Sequence, residues 1–108
     1  MIIPHINEKY RCNQCEIDFE FFQVNLTWKC PFCKNAISIK TILNGSKQTC
    51  KRLNPCDLRL GYPVVLPKYH IHEVLDIKKE NHKFRIALAK YGVLYFDETD
   101  FLLVIFGG

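Results

Sequence analysis

The chain has 108 residues, 48% of them hydrophobic and 24% charged, with six cysteines, four histidines and a formal net charge of +4. These are the proportions of an ordinary globular protein, which excludes wholesale disorder, and the length allows one domain or two very small ones. The longest apolar run, residues 101–106, is far shorter than the roughly 20 residues of a membrane span, so no membrane partner is expected.

The first residues lack a basic stretch followed by a long apolar core, so a cytoplasmic location is expected. In that compartment six cysteines read as metal ligands or free thiols rather than disulfides. Four of them form two pairs, Cys12-Asn-Gln-Cys15 and Cys30-Pro-Phe-Cys33, with 14 residues between. A C-x2-C spacing suits a tight turn that aims both thiolates at one ion. Two such turns facing each other supply a tetrahedral sulfur cage at a Zn–S distance of about 2.3 Å. All four positions are then filled by protein, so the spacing predicts a single structural Zn²⁺ held by Cys12, Cys15, Cys30 and Cys33. Alternation of apolar and polar residues predicts strands over 19–28 and 36–42, with the aromatic residues packing around the cage.

Tyr10-Arg11-Cys12-Asn13-Gln14-Cys15, then Phe19-Glu20, then Trp28-Lys29-Cys30-Pro31-Phe32-Cys33, resembles rubredoxin-like zinc ribbons, and the opening resembles the small FmdB-type ribbons. The likeness covers residues 9–42. It implies a zinc ribbon fold and says little of function, because such ribbons serve transcription factors, ribosomal proteins and enzymes alike. Those ribbons usually carry Gly after the second cysteine of each pair, where this chain has Glu16 and Lys34. A non-glycine residue can occupy such a turn at modest strain.

Residues 43–47, Leu-Asn-Gly-Ser-Lys, form a turn signal and the expected boundary. Cys50 and Cys56 beyond it could form a second metal half-site completed by His5, His70, His72 or His82, although an x5 spacing is not a common knuckle and free thiols are the simpler reading. From Tyr62 the period stays β: short strands are predicted over 63–67, 69–77, 83–89, 93–96 and 101–106, with no helical segment. Their order resembles an SH3-like barrel of the Tudor or KOW type. The expected fold is therefore mainly β: a four-cysteine zinc ribbon over 1–43, a basic bridge over 44–61, and a small SH3-like β-barrel over 62–108 packed on the ribbon.

No Gly-rich phosphate loop, His-Glu-x-x-His or Gly-x-Ser-x-Gly occurs, so no enzyme activity and no small-molecule substrate are expected. His70 and His72 share a strand face but need a third ligand to hold a metal. The terminal Gly107-Gly108 is read as a chain end rather than a conjugation signal. Charge locates a partner better than motifs do. Residues 1–43 carry a net +1, 63–108 a net of zero, and 44–62 a net +3 from Lys47, Lys51, Arg52 and Arg59 against Asp57. That strip, flanked by Tyr62 and Tyr69 as stacking groups, is the expected phosphate contact. The function expected is a non-enzymatic, zinc-stabilised accessory protein that binds nucleic acid or a nucleic-acid-processing complex. The alternatives are an adaptor docking on an enzyme, as in a mobile element or virus, and a rubredoxin-like electron carrier.

Overall fold

The computed structural model describes residues 8–107, the side chain of Tyr69 excepted. The protein is mainly β with almost no helix, and the chain divides into two compact units. The first runs to Arg52 and includes Phe106 onward; the second is Leu53–Ile105.

The first unit is an antiparallel sheet of β1 (Lys9–Cys12), β2 (Ile17–Phe19), β3 (Ser38–Leu43) and β4 (Ser46–Leu53), in the order β2-β1-β3-β4. Strand alternation sends Tyr10, Cys12, Ile39, Thr41, Cys50 and Arg52 to the buried side. Two expectations change here. Residues 19–28 do not continue as a strand: α1 (Phe21–Val24) follows β2 at once. Gln23 Oε1 accepts the Glu20 N–H at 2.7 Å and its own N–H reaches the Glu20 carbonyl at 3.0 Å, so a local cap competes successfully with the period-2 pattern. The chain then turns through Trp28, whose N–H reaches the Val24 carbonyl at 2.7 Å and whose carbonyl accepts from Ile37 at 3.0 Å. Residues 44–61 are likewise not a free bridge, because eight of them form β4. The Asn44-Gly45 turn signal makes a β3–β4 hairpin, with Leu43 paired to Ser46 and both turn residues in left-handed backbone (φ 50° and 82°).

Trp28, with no exposed surface, is the centre of this unit. Its ring lies 5.7 Å from those of Tyr10 and Phe21. The Arg52 guanidinium stacks 4.3 Å over it and holds Glu8 bidentately at 2.8 and 2.9 Å. Tyr10 OH donates to the same Glu8 carboxylate at 2.8 Å. Both members of the ion pair are buried, an arrangement that lasts only when each charge is matched and hydrogen-bonded.

The second unit contains the five strands expected of it: β5 (Pro63–Leu66), β6 (His70–Glu80), β7 (Lys83–Leu88), β8 (Gly92–Asp97) and β9 (Leu102–Gly107). They pair antiparallel in the order β9-β5-β6-β7-β8, a meander whose last strand returns beside its first. A register shift between Val74 and Asp76 lets the eleven-residue β6 serve β5 with its first half and β7 with its second. The sheet is open: no pairing among the described residues joins β8 to β9. Val64, Leu66, Val74, Phe84, Ile86, Leu88, Leu102 and Val104 make an entirely apolar core. Among the described residues no helix is long and apolar enough to cross a membrane.

Candidate metal centre and basic face

Cys12 ends β1, and the chain reverses within four residues so that Ile17 pairs back against Cys12. The second knuckle closes in the same way, with Lys34 N–H to the Cys30 carbonyl at 2.9 Å and Cys30 N–H to the Asn35 carbonyl at 2.8 Å. Each turn needs left-handed backbone immediately after its second cysteine. Glu16 (φ 57°) and Lys34 (φ 66°) supply it, which is the strain anticipated at these two positions from the sequence. Asn35 Nδ2 donates to Gln14 Oε1, tying one knuckle to the other.

The four sulfur atoms lie within 4.8 Å of one another, with Cys12 and Cys33 at 3.4 Å and Cys15 and Cys30 at 3.9 Å. A tetrahedron with metal–sulfur bonds of about 2.3 Å requires sulfur atoms roughly 3.8 Å apart, a spacing these separations bracket, so the four residues are positioned to hold a metal ion. Backbone N–H groups point at the sulfurs as well: Cys15 to Cys12 Sγ and Phe32 to Cys30 Sγ, each at 3.4 Å. Burial pushes the Cys30 thiol up, but the N–H donors of Cys33 and Phe32 outweigh it and hold the group at about 7. Cys15 is pushed up to about 12 by its hydrogen bond with the Cys33 thiol, and then by burial. Four thiolates this close repel one another, and a divalent cation is what allows all four to ionise together.

Among the described residues Cys50 and Cys56 join no group of metal-ligating side chains. Cys50 is buried in the first unit and Cys56 is exposed in the second. Among the described residues the only group of three or more metal-ligating side chains is the four-cysteine cluster; His5 lies outside the described residues. His70 and His72 do share a face, with nearly parallel rings 6.4 Å apart, and no third ligand joins them there.

The residues expected to contact phosphate are divided between the two units. Lys47 is exposed and Lys51 half-exposed on β4, the Lys51 ammonium lying 4.8 Å over the Phe106 ring. Arg52, one position on, faces inward and is committed to Glu8, because successive strand residues take opposite faces. Arg59 belongs to the second unit, where it donates to the Leu58 carbonyl at 2.9 Å. Tyr62 is half-buried in that unit, and Tyr69 closes a short 3-10 turn, Pro67–Tyr69. The expected strip of Lys47, Lys51, Arg52, Arg59, Tyr62 and Tyr69 is therefore not one surface within either unit.

Register assembles a different one. Lys9 pairs directly with Lys40, and Lys40 with Thr49. Residues two apart on each strand join the same face, which adds Arg11, Ile42, Lys47 and Lys51. The outer face of the first unit thus carries five cations. Asp18, ion-paired to Arg11 at 3.0 Å, is the one carboxylate on its strands. Segment-by-segment charge missed this face because β1 and β3 belong to a stretch whose acids cancel its bases on paper, while Glu8 is buried against Arg52.

The chain matches no protein-family model, no curated protein and no solved structure.

Proposed function

We propose that this is a non-enzymatic accessory protein, stabilised by one Zn²⁺ in a zinc ribbon, that binds nucleic acid through the outer face of the first unit. The observation that carries the reading is the direct cross-strand pairing of Lys9 with Lys40, extended by Lys47 and Lys51. Like charges opposite each other on a sheet destabilise it, and a polyanion laid across the row reverses that penalty. The flat face suits contacts to the phosphate backbone, which set affinity rather than sequence preference. Zn²⁺ is favoured by a closed set of four thiolates, in which no position is left for a reactant. The second unit, an open antiparallel meander, takes the place of the small β module beside the ribbon in this reading.

Retardation of a labelled single-stranded oligonucleotide by the zinc-loaded protein tests the proposal. Five phosphate contacts predict that log K falls with log salt at a slope of about −3.5. Lys40→Glu/Lys47→Glu/Lys51→Glu should abolish the shift, and an unchanged shift rejects the face. Metal analysis of the same sample should return one zinc per chain; visible iron–thiolate absorption would favour the electron carrier instead.

A second reading has its own observation. Phe22, Leu26 and Phe32, on α1, the turn after it and the tip of the second knuckle, are 75%, 84% and 70% exposed. Large apolar groups that open to solvent favour an adaptor that docks on a protein of a nucleic-acid-processing complex. Replacing all three by Ser should then abolish co-purification of that protein and spare the oligonucleotide shift.

A further inference from the structure

The second unit contains a cavity of about 520 Å³, within the roughly 300–1,000 Å³ of small-molecule sites. Leu66 and Pro67 give it an apolar wall, and its other lining residues are Lys68, His70, His72, Lys90 and Tyr91. Among the described residues no carboxylate lines it. We propose that this cavity binds a nucleotide, the base stacking on the His72–Tyr91 rings and the phosphate held between Lys68 and Lys90. None of its lining residues belongs to the basic face.

Three observations converge on that ligand. First, three rings gather at the cavity: His72 and Tyr91 have centroids 5.1 Å apart with their planes tilted by 39°, and His70 lies nearly parallel to His72 at 6.4 Å. Such rings accept the π-face of any base. Second, His72 is oriented by a fixed bond, its Nδ1 lying 2.8 Å from the Ala89 carbonyl. A carbonyl only accepts, so Nδ1 carries the proton, and Nε2 is left to accept from an amino or hydroxyl donor. Third, both lysines sit in left-handed backbone, Lys68 at φ 67° and Lys90 at φ 59°. The β3–β4 and β6–β7 hairpins place Asn44 and Asn81 in that conformation, a residue type that tolerates it far better. Lysine at both of these turns costs backbone energy that glycine would not, as Glu16 and Lys34 do in the knuckles, and here both lysines line the same cavity. A flat ring bearing an anion is the chemistry that uses the rings and both ammonium groups together.

Titration of the full zinc-loaded chain with adenosine 5′-monophosphate, followed through the ring-proton signals of His70, His72 and Tyr91, tests the site. Saturable shifts of all three are expected, with adenosine binding at least about tenfold more weakly and inorganic phosphate leaving the rings unmoved. Lys68→Gly/Lys90→Gly should bind the monophosphate at least about tenfold more weakly while melting at or above the parent temperature, because glycine relieves the left-handed backbone. Misfolding therefore cannot explain a loss in that variant. A 5′-phosphorylated dinucleotide distinguishes the two sources: tighter binding than the monophosphate assigns the end of a strand, weaker binding a free nucleotide. Unmoved ring signals at saturating millimolar monophosphate, equal affinity for adenosine, or undiminished binding by the double glycine variant would each overturn the proposal. Lys40→Glu/Lys47→Glu/Lys51→Glu should titrate like the parent, which separates failure of this site from failure of the basic face.

Discussion

The two units reach stability by different means. In the first, the largest side chain of the protein is enclosed by a metal-ligating cluster's own strands, a buried ion pair and two further aromatic rings. In the second, eight aliphatic and aromatic residues on four strands suffice, with no metal cluster or buried ion pair among its described residues. Two of the first unit's four strands are only three and four residues long, and its longest has eight, against eleven for β6 of the second. So little sheet buries too little apolar surface to offset chain entropy, and a staple makes up the difference. The longer strands of the second unit can pair and pack without one.

The sharpest way to break the comparison is Cys30→Ser or chelation. Loss of a cage worth on the order of 10 kcal/mol should unfold the first unit. Trp28 is the only tryptophan, so a red shift of its emission reports that event directly. Next comes Arg52→Ala, which strands the buried Glu8 carboxylate and should cost about 3–5 kcal/mol by denaturant titration. Its counterpart in the second unit is Ile86→Ala, which opens a cavity in a purely apolar core. A loss of roughly 2–4 kcal/mol is expected there, read from the exchange of the β6 and β7 amides.

The smallest effect concerns pH. Burial, followed by the Glu8 charge, pushes the Cys50 thiol up to about 11 from an ordinary 9.0. Below pH 9 the thiol is neutral in both folded and unfolded chains, and its contribution is intact. Between about pH 9 and 11 only the unfolded chain ionises, so stability falls by roughly 2–3 kcal/mol, and above that the loss levels off. Tyr10, raised by burial and by its Glu8 hydrogen bond, adds a loss of the same sign at still higher pH. Melting curves of Cys50→Ala across pH 8–11 should lack the Cys50 part of this decline.

Much of the metal site was legible because it is local. Two C-x2-C turns place their thiols by backbone geometry confined to a few residues, and even the strain at Glu16 and Lys34 follows from the turn each must make. The second unit was legible for a similar reason: runs such as 83–89 alternate cleanly, and Asn81-His82 punctuates them. The stretch 19–28 misled because Glu20 and Gln23, which read as the polar half of a strand, instead cap a single helical turn. The basic bridge misled because charge was counted along the chain, and a strand divides consecutive charges between two faces.

Sequence alone therefore determined the ligands of the metal centre, the β character of the chain and the turns that separate its strands, since each rests on interactions between near neighbours. Tertiary structure decided which charges share a surface. Lys9 meets Lys40 only through the β1–β3 register, and Arg52 leaves Lys51 for Glu8 because burial matches a charge to a charge 44 residues away. The cavity of the second unit is of the same kind, drawing Lys68 and Tyr91 together from the turns of two different hairpins. Such pairings depend on strand register and burial, which no short window of sequence contains.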